Sequence, residues 1–383
     1  MSIFIRRNFS EGRPIYPFLR VFIDKTGGYC ILNIRIRRWY AITKTGIYCH
    51  RNAFCEYCEI LAREKKNITV NGQYMEKTDK KAKPFVKWAG GKSQLLNEIG
   101  NILPDKFKKV EFTYIEPFVG GGAVLFWILQ KYPNIKKAVI NDINTDLINA
   151  YSTIKENIEN VIAILREWEK EYYSLADKQE KKKEYYYSKR SLFNSRISDR
   201  TIQTALFIFL NRTCFNGLYR VNRKNEFNVP IGSYKKPMIC DEDNLKAVSD
   251  ILQKVIILNG DFEKTLEYAE NNTLFYFDPP YKPLSETSSF TSYAKDEFGD
   301  KEQIRLAKFC EKIDSMGHQW ILSNSDVKWK NPEDSFFDDL YGKFNIRRVS
   351  ARRNINSNPD KRGKLTELMI TNYNYEEIMS IAQ

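Results

Sequence analysis

The stretch LFYFDPPY, residues 274–281, predicts both a sheet and the edge of it that carries the chemistry. The apolar run 274–277 is typical of a buried strand. Directly after it come an acceptor carboxylate (Asp278), a stiff backbone that has no donor (Pro279) and an aromatic face (Tyr281). This set suits a flat, weakly nucleophilic amino group such as adenine N6, because an acceptor on its N–H frees a lone pair otherwise delocalised into the ring. Taken alone, the stretch also fits a strand-ending turn with a solvated aspartate.

A strand–turn–helix unit lies upstream. Residues 112–115 predict a short strand, 116–122 (EPFVGGG) a glycine turn and 123–130 a helix. Such a unit binds a nucleotide-like ligand at the carboxyl end of its strand. The next predicted strand, 137–140, is followed by Asp142, which is placed to hold ribose hydroxyls. The glycine spacing is not GxGxxG, so the pattern disfavours a dinucleotide-dependent dehydrogenase.

The segment KPFVKWAGGK, residues 83–92, opens this α/β part of the chain. A glycine pair before a predicted helix, followed by Lys92, lets the backbone approach a ligand and offers the helix N-terminus to an anion. The GxxxxGK[ST] spacing of a Walker A loop is absent. The segment alone fits a plain helix start equally well.

Residues 146–245 separate two α/β halves and are largely helical and heavily charged. Most of this charge fits solvated helix faces. The block NRTCFNGLYRVNR, residues 211–223, is different, because it combines Asn-Gly turn chemistry with clustered Arg, Asn and Tyr, the side chains that contact bases and phosphates. It also fits an ordinary polar turn between helices. The order of the segments predicts one largely parallel sheet interrupted by an insert.

The composition favours a polyanionic partner. Lys plus Arg number 61 and Asp plus Glu 48, a net charge of +13, and 14% of the residues are aromatic, which suits base stacking. No run of about 18 apolar residues occurs, so no membrane span is predicted. The N-terminus lacks the pattern of a secretory signal, and the odd number of cysteines, 7, fits reduced thiols in the cytoplasm.

Residues 1–80 differ in composition and form an N-terminal extension whose role the sequence leaves open. Four cysteines lie there: Cys30, Cys49, Cys55 and Cys58. The CxxC at 55–58 leaves a zinc site open, but no second CxxC or HxxxH follows at finger spacing, so ordinary thiols are favoured. Arginines 35, 37 and 38 alternate in part with isoleucines, which favours a strand-like arm that contacts phosphates; a loosely attached extension is the alternative.

Eight motifs, in order and type, resemble the Dam-like, class α, adenine-N6 DNA methyltransferases. They are KWAGGK (87–92), EPFVGGG (116–122), NDIN (141–144), NRTCFNGLYRVN (211–222), EFNVP (226–230), YKKP (234–237), GDF (260–262) and DPPY (278–281). The resemblance covers roughly residues 83–373 and excludes 1 to about 75. It implies an α/β fold, with a Rossmann-like S-adenosylmethionine-dependent methyltransferase sheet in a catalytic domain of 83–145 and 246–383. The mostly helical 146–245 would be a target-recognition insert.

The resemblance also implies roles for single residues. The catalytic residues would be Asp278, Pro279, Pro280 and Tyr281. S-adenosylmethionine would be held by Trp88, Lys92, Phe118, Gly120, Gly122, Asp142, Asp261, Phe262 and Asp278. Double-stranded DNA would be contacted by Lys87, Arg212, Asn216, Leu218, Arg220 and Arg223. No metal is implied. Tyr219 and Ser233 stand where some relatives carry Cys and Arg, which leaves the fine specificity open.

The implied reaction is methyl transfer from S-adenosylmethionine to adenine N6 in duplex DNA, with GATC as the expected target. The amine is inaccessible in a stacked duplex, so the base must flip. A cytosine-C5 enzyme needs a nucleophilic Cys, usually after Pro, and no cysteine here follows a proline. A cytosine-N4 enzyme, an RNA methyltransferase and a DNA-binding protein with an inactive core remain alternatives. The sequence leaves open the exact target, the oligomeric state, and whether a cognate restriction endonuclease acts on the same site.

Overall fold

The computed structural model describes residues 81–282, 298–329, 331–352 and 364–374, together with the backbone of strands before residue 80. The chain divides into two compact units, Met1–Asp79 and Lys80–Gln383. Strands of the first unit pair in sequence order: β1 Ile3–Phe4, β2 Leu19–Ile23, β3 Tyr29–Asn33, β4 Arg38–Thr43, β5 Gly46–Cys49, β6 Ile68–Val70 and β7 Gln73–Tyr74. The strand predicted around Arg35 and Arg37, and the CxxC at 55–58, lie outside the described residues.

The sheet of the second unit confirms the predicted α/β class. Its strands are β8 Phe112–Glu116, β9 Ile135–Asp142, β10 Val255–Asn259, β11 Thr273–Phe277, β12 Gln319–Ser325, β13 Asn345–Arg352 and β14 Lys364–Thr371. They lie in the order β10-β9-β8-β11-β12-β14-β13. Neighbours from β10 to β12 are parallel, and the last two pairs are antiparallel. The chain leaves β8 toward one edge and β11 toward the other, so a ligand crevice is expected outside the carboxyl ends of these two strands.

Helices cover both faces of this sheet and form the insert. They are α1 Leu96–Ile102, α2 Lys106–Lys109, α3 Ala123–Lys131, α4 Thr145–Ser174, α5 Gln179–Ser195, α6 Arg200–Thr213, α7 Glu242–Leu252, α8 Asp300–Ser315 and α9 Phe336–Leu340. Short 3₁₀ turns lie at Phe215–Gly217, Phe262–Tyr268 and Val327–Trp329. Asn144 caps α4 by accepting the Leu147 N–H at 3.0 Å, so the helix begins directly after the strand end at Asp142. Among the described helices, none combines the length and apolar character that crossing a bilayer requires.

The insert helices share the core of the sheet. Every residue of β8 and β11 is buried, as expected for parallel strands covered on both faces. On one face Tyr114 and Tyr276 lie in a single apolar cluster with Phe207 of α6 and Tyr151 of α4. The opposite face packs on α8. Helices α4 and α6 are therefore held by the same hydrophobic core as the central strands.

The glycine turn after β8 packs directly against α4. Gly122 has φ +76°, and a Cβ there would lie 2.5 Å from the Tyr151 hydroxyl oxygen. That hydroxyl donates to the Gly120 carbonyl at 3.0 Å. A left-handed backbone and a close approach thus coincide at Gly122, which is why the position takes glycine.

We expect Gly122→Ala to destabilise the protein more than Gly317→Ala. Gly317 has nearly the same φ, +77°, but a Cβ there meets no atom within 4 Å. Gly317→Ala should therefore cost only the left-handed backbone penalty, about 1–2 kcal/mol. Gly122→Ala should lose roughly a further 1–3 kcal/mol through crowding against Tyr151. Urea unfolding of both variants measures the difference, and equal losses would contradict the assigned contact.

Candidate active site

Carboxylates stand at the ends of three adjacent parallel strands, at the predicted crevice. Glu116 ends β8, Asp142 ends β9, and Asp278 follows β11 directly. Parallel pairing brings these strand ends to one edge of the sheet. The two aspartates predicted from sequence, one for a ribose and one for an amine, are therefore on the same edge.

Lys92 forms an ion pair with Asp278. Its Nζ lies 2.7 Å from Asp278 Oδ1, donates to the Gly90 carbonyl at 2.6 Å, and sits 4.6 Å above the Tyr281 ring. The side chains of Lys92 and Asp278 are only 3% and 20% exposed. Burial raises the pKa of Asp278 to about 6, and the Lys92 charge opposes that rise. The carboxylate is consequently ionised at neutral pH although it is largely shielded from water.

Glu367 on β14 holds the ring of Tyr281. The Tyr281 hydroxyl donates to Glu367 Oε2 at 2.8 Å. Burial, with the negative charges of Asp278 and Glu367, holds the pKa of Tyr281 well above its ordinary value, so the hydroxyl remains a donor. The sequence offered no signal for Glu367, because its partner lies 86 positions away in the chain.

Two buried amides fix the turn that carries the motif. Gln303 of α8 donates from Nε2 to the Pro280 carbonyl at 3.0 Å. Its Oε1 accepts from Asn324 Nδ2 of β12, also at 3.0 Å. Both ends of the Gln303 amide are therefore engaged, and the backbone beside Asp278 and Pro279 has a defined orientation.

Asp142 keeps acceptor capacity toward the crevice. Its Oδ2 accepts the Gly120 N–H at 3.0 Å and its Oδ1 the Asn144 N–H at 2.9 Å. Burial raises the pKa of Asp142, and these backbone bonds counteract that effect. Each oxygen retains a lone pair for a further donor such as a sugar hydroxyl. Asn141 donates to the carbonyls of Pro117 and Gly260, and so ties together the turns on either side.

Phe118 and Phe262 pack against each other, with ring centroids 5.3 Å apart and planes inclined by 36°. Asp261, predicted to contact the cofactor, instead has both oxygens on Arg305 of α8, at 3.1 and 2.6 Å. The Arg305 guanidinium also lies 4.2 Å above the Phe262 ring. The structure thus places Asp261 in an internal ion pair, and its predicted cofactor contact stays a prediction.

Glu116 is a further candidate site residue. The sequence analysis placed it in the EPFVGGG motif but assigned it no role. It is 2% exposed and accepts the Tyr114 hydroxyl at 2.7 Å on Oε2. Burial, with the charges of Asp278 and Asp142 adding, holds the pKa of Glu116 well above its usual range and favours the protonated acid. An acidic residue at the end of the first strand was the available signal.

Side-chain amides dock the segment 82–88, which leads to Lys92. Each of three amides bonds both the N–H and the C=O of one residue, at 2.8–3.1 Å: Gln130 with Ala82, Asn244 with Lys83 and Asn211 with Lys87. Asn211 Nδ2 also donates to the Gly217 carbonyl at 3.0 Å. These paired hydrogen bonds fix the segment to α3, α7 and α6, as the backbone of a neighbouring strand would.

Trp88 is the last residue of the docked segment 82–88 and lies against the glycine turn. A Cβ on Gly120 would come within 2.9 Å of Trp88 Cδ1. The indole also stacks on the ring of Tyr219, with centroids 5.4 Å apart and planes inclined by 26°. Trp88 thus contacts both Gly120 and Tyr219, and the cofactor contacts predicted for Trp88, Gly120 and Gly122 stay predictions.

The block 211–223 divides into buried and exposed side chains. The exposed ones include Asn216, Leu218, Arg220 and Arg223, and Phe215, which the sequence did not single out, is 50% exposed beside them. Lys87 is also exposed, and its Nζ lies 3.1 Å from the Tyr234 hydroxyl.

Arg212 behaves differently from the other predicted DNA contacts. Its guanidinium donates to the Phe85 carbonyl at 2.8 Å, and burial lowers its pKa. Arg212 therefore supports the docked segment 82–88. A DNA contact through the same guanidinium stays a prediction, because its described partner is the backbone of this protein.

The described cysteines are free thiols: Cys214, Cys240 and Cys310. Burial raises the pKa of Cys214 and of Cys240 to about 11, so neither is a ready thiolate nucleophile. Within the described part of the chain, no cluster of three or more His, Cys, Asp or Glu could hold a metal ion.

Comparison with known proteins gives consistent relatives. A family model described as D12 class N6 adenine-specific DNA methyltransferase matches residues 88–355. The type II methyltransferase M.MjaIII of Methanocaldococcus jannaschii is 52% identical over 295 residues, which cover 76% of this chain and 99% of that protein. M1.LlaDCHI of Lactococcus lactis subsp. cremoris, also a type II methyltransferase, is 39% identical, with 78% and 98% covered. A DNA adenine methylase of Haemophilus influenzae is 38% identical, with 76% and 93% covered.

We expect Asn211→Asp and Asn244→Asp to differ in where they loosen the protein. Each replaces an amide donor by a carboxylate that faces a backbone carbonyl, so each should lower the free energy of unfolding by about 1–3 kcal/mol. The two differ in their partners: Asn211 bonds Lys87 and Gly217, whereas Asn244 bonds Lys83. Hydrogen–deuterium exchange should therefore rise around residues 85–92 and 214–218 in Asn211→Asp alone. Equal exchange there in both variants would contradict the assignment.

Proposed function

This chain belongs to the D12 class of N6 adenine-specific DNA methyltransferases, and we propose that it methylates adenine N6 within GATC in duplex DNA. The methyl donor implied by the family is S-adenosylmethionine. The observation that carries the proposal is the buried Asp278–Lys92 pair beside the Tyr281 ring. It supplies an ionised acceptor and an aromatic surface at one place, as recognition of a flat amino-bearing base requires.

Residues at the ends of β8 and β9 fit the methyl donor. Asp142 retains acceptor capacity on both oxygens for ribose hydroxyls, and Phe262 offers an apolar ring for the adenine. Gly120 lets Trp88 pack directly on the glycine turn, because a Cβ there would lie 2.9 Å from Trp88 Cδ1. When bound, S-adenosylmethionine supplies an electrophilic methyl group on a sulfonium. We assign Trp88, Phe118 and Gly122 to the same pocket.

The residues of this chain then position the amine and manage its proton. Lys92 occupies Asp278 Oδ1, so we assign Oδ2 as the acceptor of an N6–H. The Pro279 carbonyl is the second acceptor, and together the two favour a tetrahedral nitrogen with a free lone pair. A carboxylate with a pKa of about 6 is also suited to take up the proton that the amine releases. Tyr281 stacks on the base. Positioning and preorganised charge supply the rate enhancement without a covalent intermediate.

DNA recognition is assigned to the exposed side chains near Lys87. Arginine, lysine and asparagine read base edges in the major groove, which suits Lys87, Asn216, Arg220 and Arg223. The target amine must leave the stack to reach Asp278, so the base flips. The neighbouring apolar side chains Phe215 and Leu218 suit a wedge that fills or opens a base step.

The domain assignment follows the same logic. We propose that residues 83–145 and 246–383 form the catalytic domain and that 146–245 form the target-recognition insert.

M.MjaIII and M1.LlaDCHI are named type II methyltransferases, which favours a modification enzyme that protects DNA from a cognate restriction endonuclease. We propose that the enzyme acts in the cytoplasm, because its substrate is DNA. A cytosine-N4 specificity is the second candidate, because the same pocket chemistry serves another exocyclic amine.

Protection of GATC tests the proposal directly. A duplex treated with the protein and S-adenosylmethionine should resist an endonuclease that cuts only unmethylated GATC. Asp278→Asn keeps the size but loses the charged acceptor, and should slow methyl transfer on the order of 10²–10³-fold. Asp314→Asn, at the far end of α8, changes the same groups away from the site and should retain activity. Methyl incorporation without GATC protection would refute the target, and full activity in Asp278→Asn would refute the catalytic assignment.

The acid limb of the pH–rate profile should report Asp278. kcat/KM should fall as the pH drops through about 6, because protonation removes the acceptor. Lys92→Met removes a positive charge that favours ionisation, so its limb should move to higher pH. Glu367→Gln removes a negative charge that disfavours ionisation, so its limb should move to lower pH. Shifts in the same direction, or none, would contradict the assignment.

A further inference from the structure

We propose that Tyr219 is a positioning residue that couples the S-adenosylmethionine pocket to the DNA-reading block, because its side chain contacts both. This inference rests on the function proposed above. Tyr219 lies in the chain between Leu218 and Arg220, both exposed in the block assigned to DNA. Its own side chain points instead toward Trp88 and Asp146.

The ring of Tyr219 makes the first connection. It stacks on Trp88, which in turn is packed tightly on Gly120 of the glycine turn. The same ring packs on Phe207 of α6 at 5.5 Å and on Phe227 at 5.9 Å. A movement of Trp88 on ligand binding would therefore be transmitted to the backbone between Leu218 and Arg220, because close-packed rings leave little room for slack.

The hydroxyl of Tyr219 makes the second connection. It donates to Asp146 Oδ2 at 2.6 Å, and Asp146 lies in the first turn of α4, just after Asp142. Arg196 donates to both oxygens of Asp146, at 2.5 and 2.9 Å, and to the Asn225 carbonyl at 3.3 Å. One carboxylate thus joins the helix that follows the ribose-binding strand to the turn between Val221 and Phe227.

The direction of the hydroxyl bond is fixed. Burial, together with the Asp146 charge, holds the pKa of Tyr219 far above its ordinary value, and Arg196 opposes only in part. Tyr219 therefore stays a neutral donor, and the Asp146 carboxylate that accepts from it also forms an ion pair with Arg196. The link is a charge-assisted hydrogen bond, which is stronger than a neutral one.

Such a shared residue has a measurable consequence. If Tyr219 takes one position when the cofactor pocket is filled and that position suits DNA, each ligand tightens binding of the other by the same factor. Tyr219→Phe keeps the stack on Trp88 and removes the hydroxyl, with its bond to Asp146 and its contact with Asn144. Tyr185→Phe is the matched control, because it also loses a tyrosine–carboxylate bond, to Glu171, away from both proposed sites.

The test measures the affinity of a fluorescent GATC duplex with and without saturating S-adenosylhomocysteine, by anisotropy. The wild-type protein should bind the duplex more tightly with the cofactor product, by a factor within the usual range of roughly 5–150. In Tyr219→Phe this factor should fall toward one, while Tyr185→Phe keeps the wild-type value. Calorimetry of S-adenosylhomocysteine with and without DNA should show that the duplex tightens S-adenosylhomocysteine binding by the same factor in each protein.

The outcomes separate the two proposals. Equal coupling in Tyr219→Phe and wild type, or no coupling in a wild-type protein that methylates DNA, would overturn the role of Tyr219 alone. A wild-type protein that methylates no adenine would overturn the proposed function itself. Asp146→Asn attacks the same bond from the other side, and should lose coupling as Tyr219→Phe does. Retained coupling in Asp146→Asn would also overturn the link.

Discussion

The ion pair between Lys92 and Asp278 underlies the proposed chemistry, because it keeps a carboxylate charged where water is largely excluded. Lys92 and Asp278 come from distant parts of the chain. The ion pair therefore forms only if the fold holds each of the two side chains in place by its own set of contacts. Asp278 is held by the end of a fully buried strand and by the Gln303 amide on the following turn. Lys92 follows the segment 82–88, which is docked by paired amide hydrogen bonds.

The position of the block 211–223, which we propose to contact DNA, follows from the same constraint. Asn211 bonds Lys87 and Gly217 at once, so the segment leading to Lys92 and the loop that precedes the exposed arginines share one buried side chain. The insert helices also lie in the core cluster of the sheet. Reading DNA and holding the methyl donor are therefore expected to be mechanically connected, whereas residues 1–79 form a compact unit of their own.

Local patterns explain what the sequence predicted. The apolar runs, the glycine turn and the strand-ending positions of Asp142 and Asp278 are signals within a few residues, and the parallel sheet follows from them. Long-range partners were not predictable, because Gln303 and Glu367 become neighbours of the motif only when the sheet forms. The family resemblance implied a DNA contact for Arg212, and only the fold shows that its guanidinium also donates to the Phe85 carbonyl.

The identity of the methylated nucleoside tests the proposed methylation of adenine N6 most directly. Duplex DNA is incubated with the protein and S-adenosylmethionine carrying an isotopically labelled methyl group, digested to nucleosides and analysed by mass spectrometry. If the chain methylates adenine as proposed, the label appears as N6-methyladenine. Label recovered as N4-methylcytosine, with none on adenine, would contradict the proposal, because the pocket around Asp278 would then serve the other exocyclic amine.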